Sequence, residues 1–166
     1  MAVEHVVLAT GRFTAAVDAP PAALYLMVAA HGRLAKIGAL ESAANAADRL
    51  RTVERHQRIR DGDSSAYPLR VVVVGEIPGL VLDPYRWTDY RWDYELGKEA
   101  FDQRWAEVEH LESAVRLSLS RRVRRLAWTD WIEVARPPET DEAWLSAFLA
   151  AWREADELGS PPQPVT

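Results

Sequence analysis

Four side chains in this sequence have the types needed for chemistry: a carboxylate, a phenol, an ammonium and a guanidinium. Glu112 supplies the carboxylate. The segment FDQRWAEVEHLESAVRLSL carries apolar residues at Phe101, Trp105, Val108, Val115 and Leu119. At the helical period that stripe has one vacant position, and Glu112 fills it. A carboxylate on a core-facing stripe is costly unless it is paired or binds a cation. Glu112 therefore calls for a partner, as a metal ligand or a catalytic carboxylate. In the ordinary alternative the stripe drifts, Leu111 takes the seam, and Glu112 sits at its boundary beside an arginine.

The phenol and the ammonium lie together in ALYLMVAAHGRLAKIGAL, residues 23–40, a stretch that is otherwise nearly all apolar. The chain has two lysines against eighteen arginines, and Lys36 is one of the two. His31-Gly32 reads as a turn between two strands. A two-residue turn pairs Met27 with Lys36 and Tyr25 with Gly38, which puts Tyr25 and Lys36 on one face as diagonal neighbours. A three-residue turn would put them on opposite faces. On the shared face Gly38 leaves open backbone beside the tyrosine, a place where a ligand can approach. The ordinary alternative for Lys36 is an ammonium that snorkels to the sheet edge while its stem covers apolar surface. The guanidinium is Arg49, which shares a polar helical stripe with Asn45, Thr52 and His56.

The elements that must position these groups follow from periodicity and breakers. Residues 3–17 read as one or two short strands, and Pro20-Pro21 ends them. The hairpin, Leu24–Ala29 and Leu34–Ala39, is followed by a helix from about Ala43 to Gln57 capped by Ser42, with Ala43, Ala47, Leu50 and Val53 as its apolar stripe. Leu69–Val74 reads as a strand buried on both faces. Residues 75–96 are irregular and rich in aromatics. A long helix from about Glu99 to Arg124, a strand over Trp128–Val134, and a last helix capped by Thr140 and anchored by Trp144, Phe148, Leu149 and Trp152 complete the chain. The fold class is α+β: a small, mainly antiparallel sheet, made of a β-hairpin plus a third strand, packed with helices. The expected division is an N-terminal β extension (1–21), a central domain (22–135), a C-terminal packing helix (136–158) and a flexible tail (159–166).

Composition bounds the rest. The chain has 166 residues, 48% of them hydrophobic, which suits one domain with a substantial core. It has no cysteine, so disulfides, zinc–thiolate sites and cysteine nucleophiles are excluded. No apolar run reaches the length of a membrane span and no secretory signal is read, so the expectation is a cytoplasmic protein with no membrane partner. The net charge of −5 argues against generic nucleic-acid binding. The charge is uneven, however: arginines cluster at 49–60 and 116–125, and acids gather near the C-terminus. Such clusters suit local phosphate binding, or solvated helix faces paired with acids.

A strand with Ala23-Leu24-Tyr25, a short turn, a strand with Lys36-Ile37-Gly38, a helix with Arg49, a buried strand and a helix with Glu112 resemble the GIY-YIG nuclease domain. The Lys-Ile-Gly form and the following WTDWIEV segment are similar to a phage-type branch. The resemblance spans about Ala22 to Val134. The chain departs from the pattern in Ala-Leu for the first Gly-Ile, in Lys36 for the second tyrosine, and in a longer spacing from Gly38 to Arg49.

The resemblance implies a metal-dependent DNA endonuclease that hydrolyses phosphodiester bonds. Tyr25 would assist deprotonation of water, Arg49 would bind phosphate oxygens, and Glu112 would hold a single divalent metal, Mg²⁺ or Mn²⁺. Lys36 would supply a phosphate contact or a base. Arg51, His56 and Arg116 are the further candidates for contacting DNA, as are Trp87 and Trp92 in the aromatic loop. A homodimer or a partner subunit would compensate for the lack of a separate DNA-reading domain. The competing expectation is a catalytically inactive module of the same fold that binds nucleic acid or a protein.

Overall fold

A computed structural model describes residues 3–8, 10, 13, 20–30, 32–61, 68–82, 94–123, 127–128 and 131–159. The described chain runs β1 (Glu4–Val7), β2 (Ala23–Ala29), β3 (Leu34–Leu40), a 3₁₀ turn (Ala43–Asn45), α1 (Ala46–Asp61), β4 (Leu69–Glu76), α2 (Tyr94–Arg122), β5 (Ala127–Trp128), β6 (Trp131–Glu133) and α3 (Asp141–Gly159). Its strands form one sheet in the order β1-β4-β2-β3-β6-β5.

The hairpin has the register of a two-residue turn: Tyr25 opposes Gly38, Met27 opposes Lys36 and Val28 opposes Ala35. Gly32 has a φ of 72°, the left-handed conformation such a turn favours. β4 returns antiparallel to β2, so the centre of the sheet is β3-β2-β4. A bulge sits between Leu26 and Met27, leaving Val72 as an extra residue on β4. The sheet is mixed, because β1 pairs with β4 in parallel.

Strand alternation divides the core in two. Leu24, Leu26, Val28, Ala35 and Ile37 face one layer, where α2 brings Val108, Leu111, Val115 and Leu119, and α3 brings Trp144, Phe148, Ala151, Trp152 and Ala155. Ala23, Tyr25, Met27, Ala29 and Leu40 face the other layer, covered by α1 through Val53 and Leu50. The result is a helix layer on each side of the sheet. Both flanks of the chain belong to this body. Leu8, just after β1, is buried in the first layer, and α3 contributes its largest side chains.

Several boundaries differ from the sequence reading. Ser42 caps the 3₁₀ turn, accepting from the Ala44 amide at 3.3 Å, and α1 runs on to Asp61. Ala47 is exposed and Ala46 packs inward instead. α2 begins at Tyr94 rather than near Glu99. The single strand expected over Trp128–Val134 is two short antiparallel strands, with Trp128 opposite Trp131. Thr140 caps α3 as expected, accepting from the Ala143 amide at 3.1 Å. The aromatic loop with Trp87 and Trp92, the turn residue His31 and the tail from 160 onward lie outside the described residues.

Candidate functional site

Tyr25 sits mid-strand on β2, between β3 and β4, and points into the α1 layer. Its ring lies across the backbone of Gly38. A Cβ built at Gly38 would fall inside the phenol, on its oxygen, Cζ and Cε1. The expected opening beside Gly38 is therefore filled. Glycine is required there because the phenol of Tyr25 occupies the space a side chain would need. Tyr25 has no exposed surface.

Arg49 reaches this phenol from α1. Its Nε donates a hydrogen bond to the Tyr25 Oη at 3.3 Å. Arg49 itself is an exposed residue, so the bond joins a buried hydroxyl to a guanidinium at the surface. A charged donor makes such a bond stronger than one between neutral groups. The link ties the middle of β2 to the first turn of α1, bridging 24 residues of sequence.

Lys36 lies on the same face, nearly buried at 6% exposure. Its cross-strand neighbour on β6 is Trp131, and Nζ stands 5.3 Å from the centre of the Trp131 ring. This is within cation–π range. An ammonium within an apolar strand is thus accommodated by an aromatic face. Trp131 is the contributor that sequence reasoning missed. The WTDWIEV segment marked an aromatic strand, but the pairing of that strand with β3 is a long-range contact.

Glu112 and Arg116 come from α2, whose seam packs on the opposite face of the sheet from Tyr25 and Lys36. Leu111 takes the seam position, so the vacancy expected for Glu112 does not exist. Glu112 borders the seam with 15% of its side chain exposed, and Arg116, equally covered, donates to it at 2.9 Å. Arg116 also donates to the Ser113 hydroxyl at 3.3 Å. Glutamate four residues before arginine is the favourable order on a helix. Arg51 and His56 are exposed on α1, and Arg51 pairs with Asp48 at 2.6 Å. Exposed pairs of this kind contribute little to stability.

The structure thus joins Tyr25 and Arg49 directly and sets Lys36 on their face. It pairs Glu112 with Arg116 on a helix from the other layer. Among the described residues no group of three or more His, Asp or Glu side chains could hold a metal ion. Glu112 alone offers one carboxylate, which matches the sparse protein ligation typical of Mg²⁺. A cation there would have to displace the Arg116 guanidinium. Among the described residues no helix is long and apolar enough to cross a membrane. No known protein family, curated protein or solved structure matches the chain.

Sequence reasoning also missed a polar clip between α2 and α3. The Ser118 hydroxyl donates to Glu154 at 2.5 Å, and Arg122 reaches the same carboxylate at 3.2 Å. The Ser118 bond, aided by the charges of Arg122 and Arg121, holds the Glu154 carboxyl below its ordinary range against a smaller opposing effect of burial. The signal for it is a small polar residue, Ser118, among the apolar residues of α2.

Proposed function

We propose that this chain is a GIY-YIG-like phosphodiester hydrolase acting on DNA with a divalent metal. The observation that supports the reading most is the hydrogen bond from Arg49 to Tyr25, laid over Gly38. Three positions singled out by the resemblance, from β2, β3 and α1, meet at that contact. The order of hairpin, helix and antiparallel return strand supports it as well.

In this reading Tyr25 takes part in removing the proton from the attacking water. Arg49 and Lys36 face the phosphate oxygens and stabilise the charge that builds on them. Arg51 and His56, exposed on α1, would meet the duplex backbone on the Tyr25 side, while Arg116 lies with Glu112 on α2. Glu112 would hold Mg²⁺ or Mn²⁺, which would supply charge neutralisation at the phosphate and the leaving oxygen. Three conditions go with activity: Arg116 must leave Glu112, Tyr25 must become reachable by water, and Glu112, which lies on the opposite face of the sheet from Tyr25 and Lys36, must be brought to the same phosphate.

Those three conditions favour a second reading, a non-catalytic module of the same fold that binds nucleic acid or a protein partner. The fully buried phenol and the closed Glu112–Arg116 pair are what it rests on. Nicking of supercoiled plasmid across Mg²⁺ and Mn²⁺, with wild type beside Glu112→Gln, separates the two. The hydrolase reading expects metal-dependent nicking that falls by about 10²-fold or more in the variant. Absence of nicking with either metal, from protein with a cooperative unfolding transition, refutes it in favour of the module.

A further inference from the structure

The aromatic face under Lys36 has no place in the roles above. Lys36 is buried to 6% exposure on a strand otherwise made of Leu, Ala, Ile and Gly. Trp131 is its directly opposed partner, partly buried, and packs against the same cluster as Tyr25 and Met27. An ammonium on a four-carbon stem has many rotamers, and anion recognition needs one of them held. An indole 5.3 Å from Nζ contributes to that hold through its π face.

We propose that Trp131 is a positioning residue: its ring fixes the Lys36 ammonium on the face that carries Tyr25 and Arg49, ready for a phosphodiester oxygen. The role of the anion rests on the hydrolase or nucleic-acid-binding reading of that face. The hold of Trp131 on Lys36 does not. β6 is thereby part of the candidate site. The short hairpin that ends the sheet delivers one aromatic plane to one cation.

The chain's two lysines make the test direct, since ¹³C-lysine labelling gives two Cε–Hε resonances, with Lys98→Arg assigning them. Protons above an indole are shifted upfield by its ring current. The expected spectrum has the Lys36 resonance displaced upfield in wild type, less so in Trp131→Phe, and at its ordinary position in Trp131→Leu. Adding a short DNA duplex without metal should move the Lys36 resonance and leave Lys98 in place. The duplex should bind about fivefold more weakly to Trp131→Leu, with Trp131→Phe recovering most of the loss. A Lys36 resonance at its ordinary position in the wild-type protein overturns the proposal without reference to any variant. So does equal DNA affinity in wild type and Trp131→Leu. A displaced resonance that DNA does not move, with no measurable DNA affinity, leaves the hold of Trp131 intact and overturns the nucleic-acid reading instead.

Discussion

Gly38→Ala is the sharpest test of how the centre of the sheet is built. The added methyl would fall inside the Tyr25 phenol, and even the farthest of the three phenol atoms it meets, Cε1, would be 2.5 Å away. An ordinary carbon contact is about 3.5 Å or more, so the ring must withdraw by more than about 1 Å, since Oη and Cζ lie closer still. It has little room to do so. Tyr25 has no exposed surface, β2 is bonded to a strand on each side, and Arg49 holds the hydroxyl. Forcing a methyl into a packed site costs about 1–3 kcal/mol, and a locked ring belongs at the upper end. Replacing glycine in an extended strand returns about 0.4–1 kcal/mol through the unfolded chain. The net loss expected is about 2 kcal/mol. Urea unfolding followed by the fluorescence of the seven tryptophans should show it as a midpoint lower by about 1 M at an unchanged slope. The decisive comparison repeats Gly38→Ala in a Tyr25→Ala background, where the obstacle is gone and the same change should be neutral or mildly stabilising. An equal cost in both backgrounds would refute the reasoning, because the penalty would then not come from the ring.

Tyr25→Phe keeps that ring and deletes the acceptor for the Arg49 Nε, so it should cost about 1 kcal/mol in the same urea assay and should not rescue Gly38→Ala. The polar clip between α2 and α3 predicts a pH effect. The Glu154 carboxyl is held below its ordinary value of 4.5 in the folded protein, so its charge adds stability above that pH and the contribution is lost as pH falls through the lower folded value. Thermal midpoints of wild type and Glu154→Gln should therefore differ at neutral pH and converge under acid conditions. A gap that stays constant with pH would show that the charge of Glu154 is not what joins the two helices.

Much of the fold can be read from local features. His31-Gly32 locates the hairpin turn, and of the two turn lengths open from the sequence the two-residue one is found, which puts Tyr25, Lys36 and Gly38 on one face. The anchors of α3 follow from its period, and Trp144, Phe148 and Trp152 are all buried. What escapes a linear reading is anything set by partners distant in the chain. β1 finds β4 across some 70 residues, and only that pairing makes the sheet mixed. Trp128–Val134 looks like one strand because Thr129-Asp130 is a weak turn signal beside two tryptophans. Gly38 shows a related limit. A glycine in a strand signals close approach, but the sequence does not say whether a ligand or the protein's own side chain makes it. Here Tyr25 does.

The four candidate groups divide along the same line. Tyr25, Lys36 and Arg49 are placed by a hairpin and the helix that directly follows it, so strand alternation and a short connection decide their side of the sheet. Glu112 is placed by a helix whose layer depends on packing with α3, far along the chain, and against β3. Leu111 and Glu112 are only one residue apart on α2, a rotation of about 100°. The seam selects the apolar one, and the carboxylate moves to the margin beside Arg116. The phosphate-facing half of the proposed site is therefore the locally encoded half, preassembled around the bond between Arg49 and Tyr25. The metal-holding half lies on the other face of the sheet and depends on an ion pair that must open. A chain that has lost catalysis but kept binding would retain the first half and let the second close, so the state of the Glu112–Arg116 pair in the presence of Mg²⁺ is where the two functional readings part.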